Sequence, residues 1–401
     1  LEIVAECNGD AYSTALGFFV KTGARDESDE LAGVSHFLEH MVFKGTPTRS
    51  ADDVNREFDE MGAHYNAFTN EESTVFYAAI LPEYTDWAVG LLADILRPSL
   101  REDDFNTEKK VIIEEIRMYE DQPPFGADEK CRAIYFDPHP LGRSVLGTEQ
   151  TVGRLTAEQM RDYFRCRYSP SNIVLAGAGR IDFEDLVRIV DRYCGHWEPQ
   201  RASRLVTPSS PRDAFQTLVK ETATQQYTVA MTAGPSATDP DRFAAKLLSM
   251  VIGDDTGSRL YWDLVDPGLA EHVSLNHYEY EGAGLMVTYL CCEPNETPEN
   301  LQRVLDVYRI AEQQGVAAEE LAQAKSKVSS RVVLSSERPR GRLFSVGSDW
   351  VQRGEYCSVR DVLDDVAAVS LDDVLAVLRK YPLSRGTTVT IGPSAEIRPP
   401  Q

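Results

Sequence analysis

The feature that most constrains this chain is that it is written twice. Leu155-Thr156-Ala157-Glu158-Gln159-Met160 leads into Asn172-Ile173-Val174-Leu175-Ala176-Gly177, a capped helix followed by a buried strand that ends in glycine. About 215 residues later Val369-Ser370-Leu371-Asp372-Asp373-Val374 leads into Thr387-Thr388-Val389-Thr390-Ile391-Gly392 with the same grammar. Upstream, Asp104-Phe105 opens the helix that carries Lys109, and Glu320-Leu321 opens the helix that carries Lys325, at an offset near 216. A duplicated domain accounts for all three correspondences. Both halves mix amphipathic helices with β-rich runs such as Ser73 to Leu81 and Leu285 to Cys291. The expected fold class is therefore α+β: two homologous domains, each a mostly antiparallel sheet with helices packed on one face. A Pro- and Ser-rich stretch near the midpoint reads as an exposed linker, which gives 1–198 as the first domain, 199–211 as the linker and 212–401 as the second domain.

Composition agrees with two cores and narrows the partners. Of 401 residues 42% are hydrophobic, enough for two ordinary globular domains. Against 64 acidic residues stand 41 basic ones, and the formal charge of −23 argues against nucleic acid and against anionic membrane surfaces. No apolar run reaches the 18 residues a spanning helix needs, so no membrane role is expected. The seven cysteines are scattered, without a CxxC pair, and read as free, mostly buried thiols. They favour a reducing compartment; the expected location is cytoplasmic, with the periplasm and the mitochondrial matrix as alternatives. A start at Leu1 rather than Met carries the expectation of a trimmed leader or first strand.

The chemistry is concentrated in Gly33 to Gly45. Val34, Phe37, Leu38, Met41 and Val42 recur at helical spacing, and Gly45-Thr46-Pro47 stops the helix. On it His36, Glu39 and His40 share an arc of about 100°, with the imidazoles one turn apart. Two rings so spaced can grip one metal ion and leave the carboxylate beside it. This is H-x-x-E-H, the inverse of the common zinc-protease order. With only seven histidines in the chain, chance occurrence of the pattern is rare, on the order of one in a hundred. A catalytic zinc needs a third protein ligand from elsewhere. The helix from about Glu102 to Tyr119 carries Glu108 and Glu115 on its apolar stripe with Phe105, Ile112 and Ile116, while Glu114 points away. Carboxylates on a burying face call for a partner or a metal.

His36-Phe37-Leu38-Glu39-His40, then Asn66-Ala67-Phe68-Thr69, then Glu108 and seven residues on Glu115 resemble the pitrilysin/insulinase-type zinc peptidases, nearest in size to the processing-peptidase branch. The resemblance implies that His36, His40 and Glu115 bind Zn²⁺, that Glu39 is the general base and that Glu108 supports the site from behind. It further implies that Asn66 and Ala67, on a strand open to an extended peptide, contact the substrate, and that Phe43 lines the pocket beyond the cleaved bond. The implied activity is endopeptidase cleavage of unfolded or presequence-like peptides in a dimeric chamber. The alternative is a non-catalytic scaffold or core subunit with the same fold.

One stretch departs from the family pattern. Where relatives carry an Arg and, seven residues on, a Tyr that hold the substrate and its oxyanion, Ser258 to Glu271 places Val265 and Glu271. A heterodimer with a related subunit that lacks the zinc motif is therefore the expected assembly, with a homodimer as the alternative.

Overall fold

Two five-stranded sheets with one topology carry the duplication into three dimensions. The computed structural model describes residues 1–401, the side chains of Pro123 and Phe125 excepted. The first half runs β1 (Glu2–Cys7), β2 (Thr14–Val20), α1 (Val34–Val42), α2 (Ala51–Glu60), β3 (His64–Thr69), β4 (Thr74–Ile80), α3 (Thr85–Ile95), α4 (Glu102–Glu120), α5 (Pro123–Phe136), α6 (Glu149–Arg154), α7 (Ala157–Arg167), β5 (Ile173–Gly179) and α8 (Phe183–Cys194). The second continues β6 (Ala214–Val219), β7 (Gln226–Ala233), α9 (Arg242–Gly253), β8 (His272–Tyr280), β9 (Ala283–Cys292), α10 (Thr297–Gln314), α11 (Ala318–Ser336), α12 (Pro339–Arg353), α13 (Val359–Ala368), α14 (Leu371–Lys380) and β10 (Thr387–Gly392). The sheet orders are β1-β5-β2-β4-β3 and β6-β10-β7-β9-β8, identical once strands are matched in sequence. In each sheet one pair is parallel and the other three are antiparallel. The capped helices anticipated at Thr156 and Ser370 both form capping boxes, with Gln159 and Asp373.

The mostly antiparallel sheets with packed helices are as expected, and helices cover the other face as well. β2 is buried at every residue, so both faces of the first sheet are covered at its centre. Leu16, Phe18 and Val20 face the core shared with α1, α3 and α4, whereas Ala15 and Phe19, with Val75 and Val174, face Leu343 and Val346 of α12. In the second sheet Val229, Met231 and Val389 pack in the same way on Cys131 and Tyr135 of α5. One compact unit consists of Leu1–Ile116, Arg143–Leu205 and Val333–Cys357; the other consists of Arg117–Gly142, Val206–Val332 and Ser358–Gln401. A division at 199–211 thus marks the sequence repeat, while the packing units interleave. Nor is the linker uniformly exposed: the Arg204 guanidinium is buried against both carboxylate oxygens of Asp26.

α12 approaches the first sheet through Gly347, where an added methyl would lie 2.3 Å from the buried Phe19 ring. Gly347→Ala must displace that ring, and we expect a loss of about 1–3 kcal/mol in denaturant unfolding, whereas Gly354→Ala, in open space beyond the same helix, should act only through its left-handed backbone. All seven cysteines are free as expected, though only Cys131, Cys194 and Cys292 are fully buried. Among the described residues, no helix is long and apolar enough to cross a membrane.

Candidate metal centre

α1 is short, and its position is fixed from both ends. Its apolar face, Val34, Phe37, Leu38, Met41 and Val42, is fully buried, with Phe37 stacked on Phe105 of α4 at 4.7 Å between ring centres. Gly33 at its start has φ of 93°, a conformation only glycine adopts cheaply. The first turn is capped from a distance: the Glu27 carboxyl accepts from Gly33 N–H at 2.8 Å and from Ser35 N–H at 2.7 Å. Complete burial nevertheless pushes the Glu27 pKa up to about 8, against the pull of those two bonds.

The opposite face gathers the ligand-type atoms. Glu115 Oε2 lies 3.8 Å from His36 Nε2 and 3.6 Å from His40 Nε2. One ligand atom from each of the three residues falls within 4.8 Å of the others, and among the described residues no second such cluster occurs. These separations are too long for hydrogen bonds. They approach the roughly 3.4 Å that separates N and O ligands set tetrahedrally about 2.1 Å from a zinc ion. The donor types, two imidazoles and a carboxylate, also suit zinc. Burial, with the His40 charge a lesser cause, lowers the His36 pKa to about 3, so this ring is neutral and keeps a lone pair to donate. The residues present fit the metal.

Glu108 stands behind the cluster, where the sequence stripe put it. It is buried, its Oε1 lies 3.0 Å from His40 Nδ1, and its Oε2 lies 2.7 Å from Lys44 Nζ. Burial works against ionisation of Glu108, but the bonds from His40 and Lys44 outweigh it and hold the carboxyl below its ordinary range. Conversely, burial alone would lower the His40 pKa, and Glu108, Glu115 and Glu39 together raise it. A histidine whose Nδ1–H is held by a carboxylate presents Nε2 toward the metal in a fixed tautomer. Lys44 escaped the sequence reading; its signal is the four-residue step from His40. Glu114 is exposed on the far side of α4. We therefore expect Glu108→Gln to weaken zinc affinity about 10- to 100-fold, by competition with a chromophoric chelator, and Glu114→Gln to change it little.

Glu39 lies outside the triad. Its Oε2 accepts from Thr69 Oγ1 at 2.6 Å, and burial raises its pKa in spite of that bond. Thr69 ends β3, which pairs only with β4 and forms the edge of the sheet. The base candidate and the open strand are thus joined by one hydrogen bond, a role for Thr69 that sequence did not reveal. On β3, Asn66 is exposed and its Oδ1 accepts from Ala67 N–H at 2.9 Å, while Ala67 itself is buried. Phe43, half-buried just after α1, has its ring 6.3 Å from Tyr65 and 6.1 Å from Phe76.

An α+β unit with an inverted two-histidine helix and a glutamate from a second helix defines a class of metallopeptidase-like proteins. Residues 2–149 match the insulinase family of peptidases, family M16, and residues 154–328 match the M16 inactive domain. The chain belongs to this family. It is 29% identical over 99% of its length to the uncharacterized zinc protease YmxG of Bacillus subtilis, covering 97% of that protein. To an uncharacterized zinc protease of Mycobacterium tuberculosis it is 31% identical, covering 99% of this chain and 92% of the other. Solved structures share the fold: a Helicobacter pylori protease at TM-score 0.90 and 18% identity (97% and 96% coverage), and a chain of complex III from Candida albicans at 0.85 and 16% (99% and 94%).

Proposed function

We propose that this protein is a zinc-dependent endopeptidase acting on unfolded or presequence-like peptides within a dimeric chamber. The observation that carries this reading is the separation of roles: three ligand-type atoms converge while Glu39, on the same helix, stays out of the cluster and is tied to the edge strand. His36, His40 and Glu115 would hold the ion, and when bound it would lower the pKa of a water and polarise the peptide carbonyl. Glu39, half-buried and with its pKa raised by desolvation, takes the proton of the attacking water and returns it to the leaving amine. Thr69 fixes the Glu39 carboxylate while that proton moves.

The substrate enters as an added strand on β3. Asn66 Oδ1 already occupies the Ala67 N–H, so a docking peptide would exchange that bond for its own carbonyl and free the Asn66 amide to hold it. Phe43 borders the same strand. The second reading, a scaffold without catalysis, draws on the likeness to a complex III chain and on Val265 and Glu271 in the second half. Digestion of a quenched-peptide library with and without a chelator separates the two. Cleavage that is lost to the chelator and restored by zinc supports the peptidase, and zinc binding without cleavage overturns it.

A further inference from the structure

α1 carries both imidazoles and the candidate base, and its start is held by a side chain whose burial is unfavourable in itself. The stretch Arg25-Asp26-Glu27 buries three charged groups in a row. Two of them are paired in the ordinary way, Arg25 with Glu72, and Asp26 with Arg167 and Arg204. Glu27, 4% exposed, makes no ion pair among the described residues; Arg143, whose charge reaches it, is bonded to Asp29 at 2.9 Å. A buried carboxylate without a cation needs other compensation. The polar partners of Glu27 all lie at the start of α1: Gly33 N–H, Ser35 N–H and the Ser35 hydroxyl.

The same stretch is fastened on its other side to the turn between β3 and β4. Arg25 N–H donates to Glu71 O at 2.9 Å and Ala24 N–H to Asn70 O at 3.3 Å, and a methyl added to Gly23 would lie 2.2 Å from Asn70 O. A second link runs through the buried Tyr163, whose Oη is 2.7 Å from Thr22 Oγ1 and 2.7 Å from Ser35 Oγ. β3 ends at Thr69, which bonds Glu39 further along α1. α1 is therefore tied to the edge-strand hairpin at two places, at its start and at Glu39. In the second half α9 stands between β7 and β8 as α1 stands between β2 and β3, carries no metal motif and starts differently. The acceptor there is Asp239, two residues before Asp241 and ion-paired with Lys380 at 3.0 Å. The remote cap without a cation occurs on the copy that carries the ligand residues.

We propose that Glu27 is a positioning residue of the metal centre, one that sets His36 and Glu39 against Glu115 and the edge strand through the first turn of α1. Its effect on turnover rests on the zinc-peptidase reading, and its effect on the metal does not. In the full chain Glu27→Gln keeps the size of the side chain but turns an NH₂ toward one of the two backbone N–H groups, so one of those donors loses its acceptor. Glu30→Gln, exposed in the same stretch, is the control. Zinc affinity of folded Glu27→Gln, by competition with a chromophoric chelator, should fall about tenfold, and the visible ligand-field bands of the cobalt-loaded chain should shift. Turnover of a quenched peptide should show kcat down about 10- to 100-fold with KM unchanged within about twofold, the split that misplacement of the reacting groups produces. A loss of stability by itself would move neither the affinity nor the spectrum of the folded chain. An unshifted cobalt spectrum or an unchanged zinc affinity in Glu27→Gln, or equal effects of Glu30→Gln, overturns the proposal. Should Glu27→Gln fail to fold, Tyr163→Phe, which removes the second link, is read in the same way: a shifted spectrum supports the proposal and an unshifted one overturns it. A shifted spectrum in a chain that cleaves no peptide removes the peptidase and leaves the positioning role, whereas a chain that takes up neither metal overturns both.

Discussion

Glu39→Gln should bind zinc as the unaltered chain does and lose about 10²- to 10⁴-fold in peptide turnover, the span a positioned general base contributes. The geometry gives the reason: Glu39 does not enter the cluster of His36, His40 and Glu115, and its nearest polar partner is the Thr69 hydroxyl. The amide can still accept from Thr69, so α1 and β3 should keep their positions while the proton acceptor disappears. Glu115→Gln behaves differently. Removing that carboxylate leaves two imidazoles, and both metal and activity should go. Metal content by inductively coupled plasma mass spectrometry and turnover of a quenched peptide check the pair. A Glu39→Gln protein that turns over peptide at an undiminished rate would remove Glu39 from the mechanism.

Why α1 was legible and its surroundings were not follows from the range of the interactions. His36 and His40 sit one turn apart on a single helix, so their convergence is local geometry that sequence spacing fixes. Glu108 and Glu115 are equally local to α4, and the apolar stripe beside them betrayed their direction. That the two helices meet was not derivable from spacing; it came from the resemblance. Contacts between distant segments stayed hidden altogether. The bond from Thr69 to Glu39 spans 30 residues, and the cap that Glu27 places on α1 crosses an irregular segment. The repeat announced two like sheets, but a period in sequence says nothing about which copy of a helix covers which sheet. Hence α12 and α5, 216 residues apart by their first residues, were expected on their own halves and are found in the other compact unit.

The other large effect concerns a partner. We expect the chain alone to cleave peptides slowly and a mixture with a zinc-lacking relative that carries the Arg and Tyr to be about 10²- to 10³-fold faster, the value of one oxyanion donor. Between Ser258 and Glu271 the sequence offers a single arginine, Arg259, and its guanidinium is committed to Glu320 at 2.8 and 2.7 Å and to the Gly315 carbonyl at 3.0 Å. Val265, where the cationic group is wanted, cannot donate at all. Glu271 would add negative charge where an oxyanion develops, which raises rather than lowers the barrier. A homodimer repeats the same gap in each copy, so self-association offers no remedy; a heterologous chain can supply both groups. Steady-state turnover of the purified chain, alone and with increasing amounts of such a relative, reads the result. Full turnover by the chain alone, unaltered by the added subunit, would reject the heterodimer, and it would assign the missing tyrosine's role to a residue already present, with Tyr261 and His272, on either side of Val265 in sequence, the first to replace with phenylalanine and glutamine.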